Sequence, residues 1–252
     1  MQQIAGVAVI TGASSGIGEA TSRALAGRGY HCVLVARRED RLRTLAEELD
    51  AEFDVCDVTD PAAIERAAAA IRSRHSAVDV LVNNAGIPGR AGFVSIEPER
   101  LESVMRTNYF GGVWFVRALL PALEAAREAH VVNVVSVAGT VAWAPAGPYA
   151  ASKHAQLAFS RALTAELRPR GIHVHTVNPG FVETEGFPQS AVLRNAMLRR
   201  IVIGPDDVAR HIVRVIERDK RETFVPAWYR VAAVAQTLLP GVVARVVGRA
   251  AR

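Results

Sequence analysis

The stretch Val7-Ala8-Val9-Ile10-Thr11-Gly12-Ala13-Ser14-Ser15-Gly16-Ile17-Gly18 decides the fold of this 252-residue chain. Its apolar start is typical of a buried strand, a glycine-rich turn follows, and helical periodicity then runs from about Ser15 to Arg28. Glycines permit a tight turn and let the backbone approach a pyrophosphate, which the N-terminus of the next helix can bind. This placement of Gly12, Gly16 and Gly18 predicts a dinucleotide-binding turn, whereas a turn needed only for helix–strand packing is the alternative.

Strands and helices alternate along the rest of the chain. Strands are predicted at His31–Ala36, Glu52–Val55, Val78–Asn83, Val131–Ser136, His173–Asn178 and Phe224–Pro226. Helices are predicted at Glu39–Leu49, Pro61–Ile71, Glu99–Ala125 (broken or weakened near Gly111–Gly112), Tyr149–Leu167 and Pro205–Glu217. Short strands that are apolar on both faces indicate a parallel sheet covered by helices. We therefore expect an α/β fold, a single Rossmann-type domain with a doubly wound parallel sheet of about seven strands.

This organisation divides the chain unequally. We assign residues 1–228 to the dinucleotide-binding and catalytic domain, and 229–252 to an apolar C-terminal tail that is not an independent domain. The tail, largely apolar over Val231–Val247 but interrupted by Gln236, Pro240 and Arg245, is too short for a confident membrane span. It could cover the substrate pocket, contact another subunit or lie in a membrane interface, and we favour packing on the protein or a partner subunit over peripheral membrane contact.

Composition narrows the class of protein. The net charge is +5, and all but two of the 30 basic residues are arginine, the exceptions being Lys153 and Lys220. The arginines are dispersed rather than grouped with aromatic residues, so we expect no nucleic-acid partner. Cys32 and Cys56 lack the spacing of a disulfide framework or a zinc site, so no metal is expected. No signal peptide is recognised at the N-terminus, and we expect a cytoplasmic protein.

The residues after the second strand select the cofactor. A strand end that binds the ribose 2′-hydroxyl of NAD usually carries an acidic residue, whereas arginine suits the 2′-phosphate of NADP. Here the chain reads Val35-Ala36-Arg37-Arg38, which favours NADP(H) over NAD(H), unless both arginines are only solvated surface charges. Asp57, after the third strand, could accept from the adenine or cap the next helix, although Asp60 fits that cap better.

Three residues form the predicted catalytic group. Ser136 ends the fifth strand, Tyr149 opens the next helix, and Lys153 lies one helical turn further on the same face. A neighbouring cation lowers the pKa of a phenol toward the working range of an acid–base catalyst, and a serine hydroxyl can position the substrate oxygen. Hydride transfer belongs to the nicotinamide. Together, this group predicts interconversion of a carbonyl and an alcohol, although each residue alone has an ordinary structural explanation.

Several short motifs in order make the chain, from Val7 to Pro226, resemble the short-chain dehydrogenase/reductase family, in its compact single-domain branch. Thr11–Gly18 is similar to the TGxxxGxG cofactor motif, Asn83–Gly86 to NNAG, and Tyr149 with Lys153 to YxxxK. Asn178–Gly180 with Thr184 is similar to NPGxxxT, and the arginine pair to the basic signature of NADP(H)-preferring members.

The resemblance implies roles for further residues. Asn108 falls where the family keeps a catalytic asparagine that holds a water, alongside Ser136, Tyr149 and Lys153. Lys153 would also bond the nicotinamide ribose. The residues expected to bind the cofactor are Gly12, Ser14, Ser15, Gly16, Ile17, Gly18, Arg37, Arg38, Asp57, Val58, Asn84, Ala85, Gly86, Tyr149, Lys153, Pro179, Gly180, Val182 and Thr184. A homodimer or homotetramer through Glu99–Ala125 and Tyr149–Leu167 is also implied.

The sequence predicts the region of the substrate pocket and only a broad class of substrate. Its pocket is expected to include Gly86–Phe93, Val137–Trp143 and a lid at Glu185–Ile203. Apolar residues there (Trp143, Phe181, Phe187, Met197 and Leu198) suggest a hydrophobic carbonyl or alcohol, unless they only pack the lid. A non-catalytic NADP(H) sensor on the same fold is the competing hypothesis, disfavoured by the intact catalytic group. Epimerase or dehydratase chemistry is disfavoured because no sizeable substrate domain follows Pro226.

Overall fold

The structure, a computed structural model, describes residues 6–89, 91–142, 146–187 and 198–250. Its centre is a seven-stranded sheet in the order β3-β2-β1-β4-β5-β6-β7, in which every neighbouring pair is parallel. The strands are Gly6–Thr11 (β1), Tyr30–Ala36 (β2), Glu52–Val55 (β3), Val80–Asn83 (β4), Ala129–Val134 (β5), Ile172–Pro179 (β6) and Glu222–Val225 (β7). The predicted Rossmann-type α/β fold is confirmed.

Helices cover both faces of the sheet. They are Gly16–Ala26 (α1), Glu39–Leu49 (α2), Pro61–Arg74 (α3), Pro98–Met105 (α4), Gly111–Ala125 (α5), Gly147–Leu167 (α6), Pro205–Glu217 (α7), Arg230–Leu238 (α8) and Pro240–Ala250 (α9). One hydrophobic core packs α1, α2 and α7 on one face, and a second packs α3, α5 and α6 on the other. Both faces of the central strands are therefore buried, as the apolar runs in the sequence require.

The long fourth helical region differs from its prediction. No break occurs at Gly111–Gly112; instead, one π-helical turn at Arg106–Phe110 joins α4 directly to α5. Position 111 has no room for a side chain, because a Cβ there would lie 2.9 Å from the backbone oxygen of Val58. The glycine therefore permits close packing and does not end the helix.

Two residues of the predicted catalytic group lie at slightly different places in their strand and helix than the sequence predicted. β5 ends at Val134, so Ser136 does not end the strand but caps a short 3₁₀ turn at Val137–Gly139. Tyr149 lies in the first turn of α6 and does not open it, because Gly147 and Pro148 precede it in the helix. Both residues remain beyond the carboxyl ends of the strands, where open α/β sheets bind ligands.

Candidate active site

The glycine-rich turn is shaped by close backbone approach. Gly12 and Gly16 have φ angles of 68° and 57°, a region that side chains rarely adopt. A Cβ on Gly18 would lie 2.2 Å from the backbone oxygen of Gly12, so only glycine fits there. The start of α1 thus presents its N–H groups and positive dipole end beside an uncrowded backbone, an arrangement that fits a pyrophosphate.

The β4 end locks this turn in place. Asn84 donates through Nδ2 to the backbone oxygen of Thr11 (3.0 Å), and the backbone nitrogens of Asn84 and Ala85 donate to Thr11 Oγ1 (3.0 and 3.1 Å). On the other side, a Cβ on Gly16 would come within 3.0 Å of Thr184 Cγ2. The NNAG and NPGxxxT segments, far apart in sequence, therefore converge on the turn.

Arg38 is built into the turn. Its Nε donates to Ser14 Oγ (3.2 Å), and its Nη2 donates to Ser15 Oγ (2.6 Å) and to the backbone oxygen of Ser14 (3.2 Å). Its Nη1 pairs with the carboxylate of Glu185 at 3.3 Å, and Arg41 Nη2 donates to the same carboxylate at 3.1 Å. The Arg41 hydrogen bond, with Arg38, lowers the pKa of Glu185. A positively charged pocket therefore stands beside the second strand end.

The neighbouring Arg37 is held loosely. Its side chain is 67% exposed, against 39% for Arg38, and its guanidinium lies 3.9 Å from Asp57. Asp57 Oδ1 accepts from the backbone nitrogen and hydroxyl of Thr59, each at 2.9 Å. Asp60, not Asp57, caps α3 through the nitrogen of Ala62. The two adjacent arginines are thus unequal, a distinction that the sequence does not make.

Ser136 and Tyr149 face one another across the cavity. Ser136 Oγ accepts from the backbone nitrogen of Ala138 at 3.1 Å, and burial raises the pKa of Tyr149 to about 12, opposed by a hydrogen bond with Ser136. This direction is opposite to the one expected from the sequence. Desolvation of the phenolate outweighs the hydrogen bond with Ser136. Lys153 Nζ lies 5.8 Å from the Tyr149 ring centroid.

Lys153 is fully enclosed. Its Nζ donates to the backbone oxygen of Val134 (3.0 Å) and to Gln156 Oε1 (2.7 Å), and burial lowers its pKa to about 7. These acceptors hold two of the three ammonium N–H groups at the end of β5. The lysine therefore has a fixed position beside the tyrosine, set by Gln156, which the sequence did not single out.

The π-helical turn places Asn108 behind this group. Its Oδ1 accepts from the nitrogen of Ile87 (2.7 Å), while its Nδ2 donates to the oxygen of Ile87 (3.0 Å) and to Ser152 Oγ (2.9 Å). Both amide N–H groups are thus used in clamping the loop after β4 to α6. In the structure Asn108 is a buried clamp, and its expected role toward a water stays a prediction.

One cavity of about 970 Å³ joins these parts. All the predicted catalytic and cofactor-binding residues line it except Gly18 and Asn108, which support its wall from behind. Phe181, Phe187 and Tyr229 line its apolar end, where the Phe187 ring lies 5.5 Å from that of Tyr149. Trp143 and Met197, also predicted here, lie outside the described residues, as does the side chain of Leu198. Glu185 and Tyr229 are the lining residues whose roles sequence reasoning missed.

A separate group of potential metal ligands lies at the opposite edge of the sheet. Ligand atoms of His31, Glu52 and His75 lie within 4.8 Å of one another. Arg74 Nε already pairs with Glu52 at 2.6 Å, which places a positive charge beside any cation bound there. Among the described residues this group has no connection with the cavity, and the absence of a metal stays an expectation.

Comparison with known proteins agrees with this geometry. The family described as "short chain dehydrogenase" matches residues 6–191. Dehydrogenase/reductase SDR family member 7B of Xenopus laevis is 34% identical over 94% of this chain and 79% of its own. Actinorhodin polyketide ketoreductase, solved with NADPH, is 34% identical, with a TM-score of 0.76, covering 84% of this chain and 90% of its own. A short-chain dehydrogenase/reductase of Burkholderia phymatum, solved with NAD, is 27% identical, with a TM-score of 0.83, covering 94% and 95%.

Proposed function

The chain belongs to the short-chain dehydrogenase/reductase family of oxidoreductases, which use a nicotinamide cofactor, and from that premise we propose that it interconverts a hydrophobic carbonyl and its alcohol with NADP(H). One observation carries the proposal: Ser136, Tyr149 and Lys153 line the same cavity as the glycine-rich turn and Arg38. The glycine-rich turn would hold the phosphates of a dinucleotide in this cavity, and the catalytic group would lie at its reactive end.

The position of Arg38 supports the preference for NADP(H). Three hydrogen bonds fix this guanidinium beside Ser14 and Ser15, and no acidic residue ends β2. A positioned guanidinium binds phosphate through charge-assisted hydrogen bonds, so the 2′-phosphate is the natural ligand of this pocket. Arg37 contributes less, because it is more exposed and faces Asp57.

The acid–base step is assigned to Tyr149. The nicotinamide supplies the hydride when bound. As the carbonyl carbon is reduced, the Tyr149 hydroxyl gives its proton to the carbonyl oxygen, which becomes the alcohol, while Ser136 holds that oxygen in place. Lys153 stabilises the resulting phenolate, and its third N–H, not used by Val134 or Gln156, would bind the cofactor ribose. The raised pKa of Tyr149 keeps the proton available for reduction throughout the neutral range.

The apolar end of the cavity, away from the glycine-rich turn, supports the proposed substrate class. Phe181, Phe187 and Tyr229 form an apolar wall beside Tyr149, so a carbonyl flanked by hydrocarbon fits better than a charged one.

The same chain is proposed to form a homodimer or homotetramer through α4–α5 and α6. Phe110 is exposed and its ring stacks on that of the half-buried Trp114 at 5.5 Å, which supports that assembly. The unpaired thiols of Cys32 and Cys56 agree with a cytoplasmic location.

The test is turnover of a panel of aliphatic and aromatic carbonyls, followed by loss of NADPH absorbance and repeated with NADH. We expect faster turnover with NADPH. Tyr149→Phe should lower kcat roughly 100-fold to 10,000-fold, the usual contribution of a positioned general acid, while leaving the dissociation constant of NADPH within about threefold. Unchanged turnover in Tyr149→Phe would exclude the assigned acid. Tight NADPH binding without turnover of any compound would favour the sensor hypothesis.

A further inference from the structure

The C-terminal helices expose an apolar surface. Among the described residues ten large hydrophobic side chains are exposed, and six of them lie in one short segment: Trp228, Val231, Val234, Leu238, Leu239 and Val242. Val231, Val234 and Leu238 are spaced three and four residues apart, so they share one face of α8. We call these six side chains the apolar tail surface. Monomeric proteins seldom expose a large apolar patch without a binding role, and six exposed hydrophobic side chains within fifteen residues make this segment a candidate for one.

The apolar tail surface has little support from the rest of the chain. No residue of α8 is buried, and Val231 and Leu238 are 70% and 71% exposed. Within the described ranges, α8 packs mainly on α9 and on the 3₁₀ turn Ala227–Tyr229. The expectation that the tail packs on the protein or on a partner subunit stays a prediction; within the chain itself these side chains are exposed and accessible to an external partner.

All the charged residues of the tail are basic. From Thr223 to Arg252 the sequence contains no acidic residue and four arginines: Arg230, Arg245, Arg249 and Arg252. Among the described side chains of α9, the exposed Val242 and the half-buried Val243 are followed by Arg245, a combination typical of an amphipathic helix with a basic edge. Arg245 is exposed. An apolar face in a segment whose charged residues are all basic complements an anionic lipid surface.

The base of the tail is fixed to the cavity. Tyr229 is buried, and Gly180 makes room for its ring, because a Cβ on Gly180 would lie 2.0 Å from Tyr229 Cε2. Trp228 stacks on Tyr229 with ring centroids 3.9 Å apart, and Ala232 also lines the cavity. The apolar tail surface thus begins at the rim of the proposed substrate site.

We propose that α8 and α9 lie in the plane of an anionic bilayer, with the apolar tail surface among the lipid chains and the arginines at the headgroups. No helix in the described part of the chain is both long and apolar enough to cross a bilayer, so the attachment is interfacial. A second copy of the chain fits less well, because a symmetric contact would bring the same arginines together without an acidic partner in the tail. The attachment does not depend on the proposed reaction; it would open the cavity rim toward membrane-dissolved carbonyls.

The experiment is co-sedimentation of the full chain with phosphatidylcholine vesicles, with and without phosphatidylglycerol, at low and high salt. We expect binding only to the anionic vesicles, weakened by salt. The double variant Leu238→Glu/Leu239→Glu should weaken binding roughly tenfold or more, because two exposed leucines no longer enter the lipid. Arg245→Gln should weaken it about fivefold. Val94→Glu, at a fully exposed valine outside the tail, is the matched control and should bind like the unaltered chain.

A second measurement avoids any dependence on the folding of the double variant. Tryptophan emission of the unaltered chain should shift to shorter wavelength when anionic vesicles are added, and Trp228→Phe should remove that shift. The proposal is overturned if the unaltered chain does not bind anionic vesicles at low salt. It is equally overturned if Val94→Glu loses as much binding as the double variant. An oligomer that dissociates in the double variant, without vesicle binding, would assign this surface to a second copy instead.

Discussion

Arg37 and Arg38 are adjacent in sequence but differ in what they can do. Arg38 is tied by three hydrogen bonds to Ser14 and Ser15, whereas Arg37 has only a long contact with Asp57. Arg38→Ala should therefore weaken NADPH binding roughly 10-fold to 100-fold, the usual loss for a hydrogen bond to a charged group, and leave NADH nearly unchanged. Fluorescence titration measures both constants. Arg43→Ala, an exposed residue of α2 paired with Glu39, is the control. A larger loss from Arg37→Ala would reverse the assignment.

Glu185 pairs with the arginines that are proposed to bind the 2′-phosphate. Its carboxylate accepts from Arg38 and Arg41, and its lowered pKa keeps it ionised at neutral pH. Glu185→Gln should increase NADPH affinity severalfold, because a negative charge is removed from the phosphate pocket, without a matching gain for NADH. Glu48→Gln, which disrupts a different exposed ion pair with Arg23, should change neither constant. Weaker NADPH binding in Glu185→Gln would mean that this carboxylate positions the arginines.

The catalytic pair predicts a pH dependence. The proposed reduction would need a protonated Tyr149 and a charged Lys153, and burial shifts their pKa values to about 12 and about 7. The active form is therefore populated below pH 7 and declines as pH rises through the pKa of Lys153. The pH profile of kcat/KM for carbonyl reduction should show this fall. A flat profile from pH 6 to 9 would contradict the assigned charge state of Lys153.

At the scale of elements, the turn between β1 and α1 tolerates no side chain at its third glycine. A Cβ on Gly18 would lie 2.2 Å from the Gly12 oxygen and 2.6 Å from Asn84 Nδ2. Gly18→Ala should lower the free energy of unfolding by about 1–3 kcal/mol through overpacking and abolish measurable cofactor binding. Thermal unfolding and NADPH titration report the two effects. Gly241→Ala, where a Cβ meets nothing within 4 Å, is the control; equal losses in both variants would refute the steric explanation.

The π-helical turn shows what an element can decide beyond its residues. Arg106–Phe110 inserts a wider turn between α4 and α5, and this turn brings Asn108 to Ile87 and Ser152. Such turns are frequent at functional sites, where they re-aim side chains. The glycines at 111 and 112 predicted a broken or weakened helix near this place, whereas the structure has a continuous helix with a π-helical turn just before them.

At the scale of the whole molecule, a buried histidine pair spans β5 and β6. His130 Nδ1 lies 2.9 Å from His175 Nε2, and burial, then the neighbouring His175, lowers the pKa of His130 to about 4. His173, Glu128 and Asp219 also face this pair. The pair is therefore uncharged in the folded chain at neutral pH.

This pair predicts acid sensitivity. The unfolded chain protonates His130 near pH 6.5, but its pKa in the folded chain is about 4, so stability is full above pH 6.5 and falls as pH drops between these values; the lowered pKa of His175 acts in the same direction. The loss should be on the order of 1–3 kcal/mol. Urea unfolding across pH 4.5–7.5 measures it. His130→Gln should flatten the dependence, whereas the exposed His154→Gln should not; the same slope in all three proteins would count against the pair.

The sequence by itself determined the family and the parallel Rossmann-type sheet, and it predicted many of the residues that line the cavity. It could do so because strand and helix periodicity is local, and because parallel strands deliver the residues after each strand to one edge. The division into 1–228 and an appended 229–252 stays a prediction.

Only the tertiary structure distinguished Arg38 from Arg37, and only it placed Glu185 against Arg38 and Asn108 against Ile87. It also reversed the expected shift of the Tyr149 pKa and left the tail side chains exposed. The physical reason is shared: desolvation, hydrogen-bond partners and exposure depend on contacts between residues far apart in sequence, which periodicity and motif spacing do not specify.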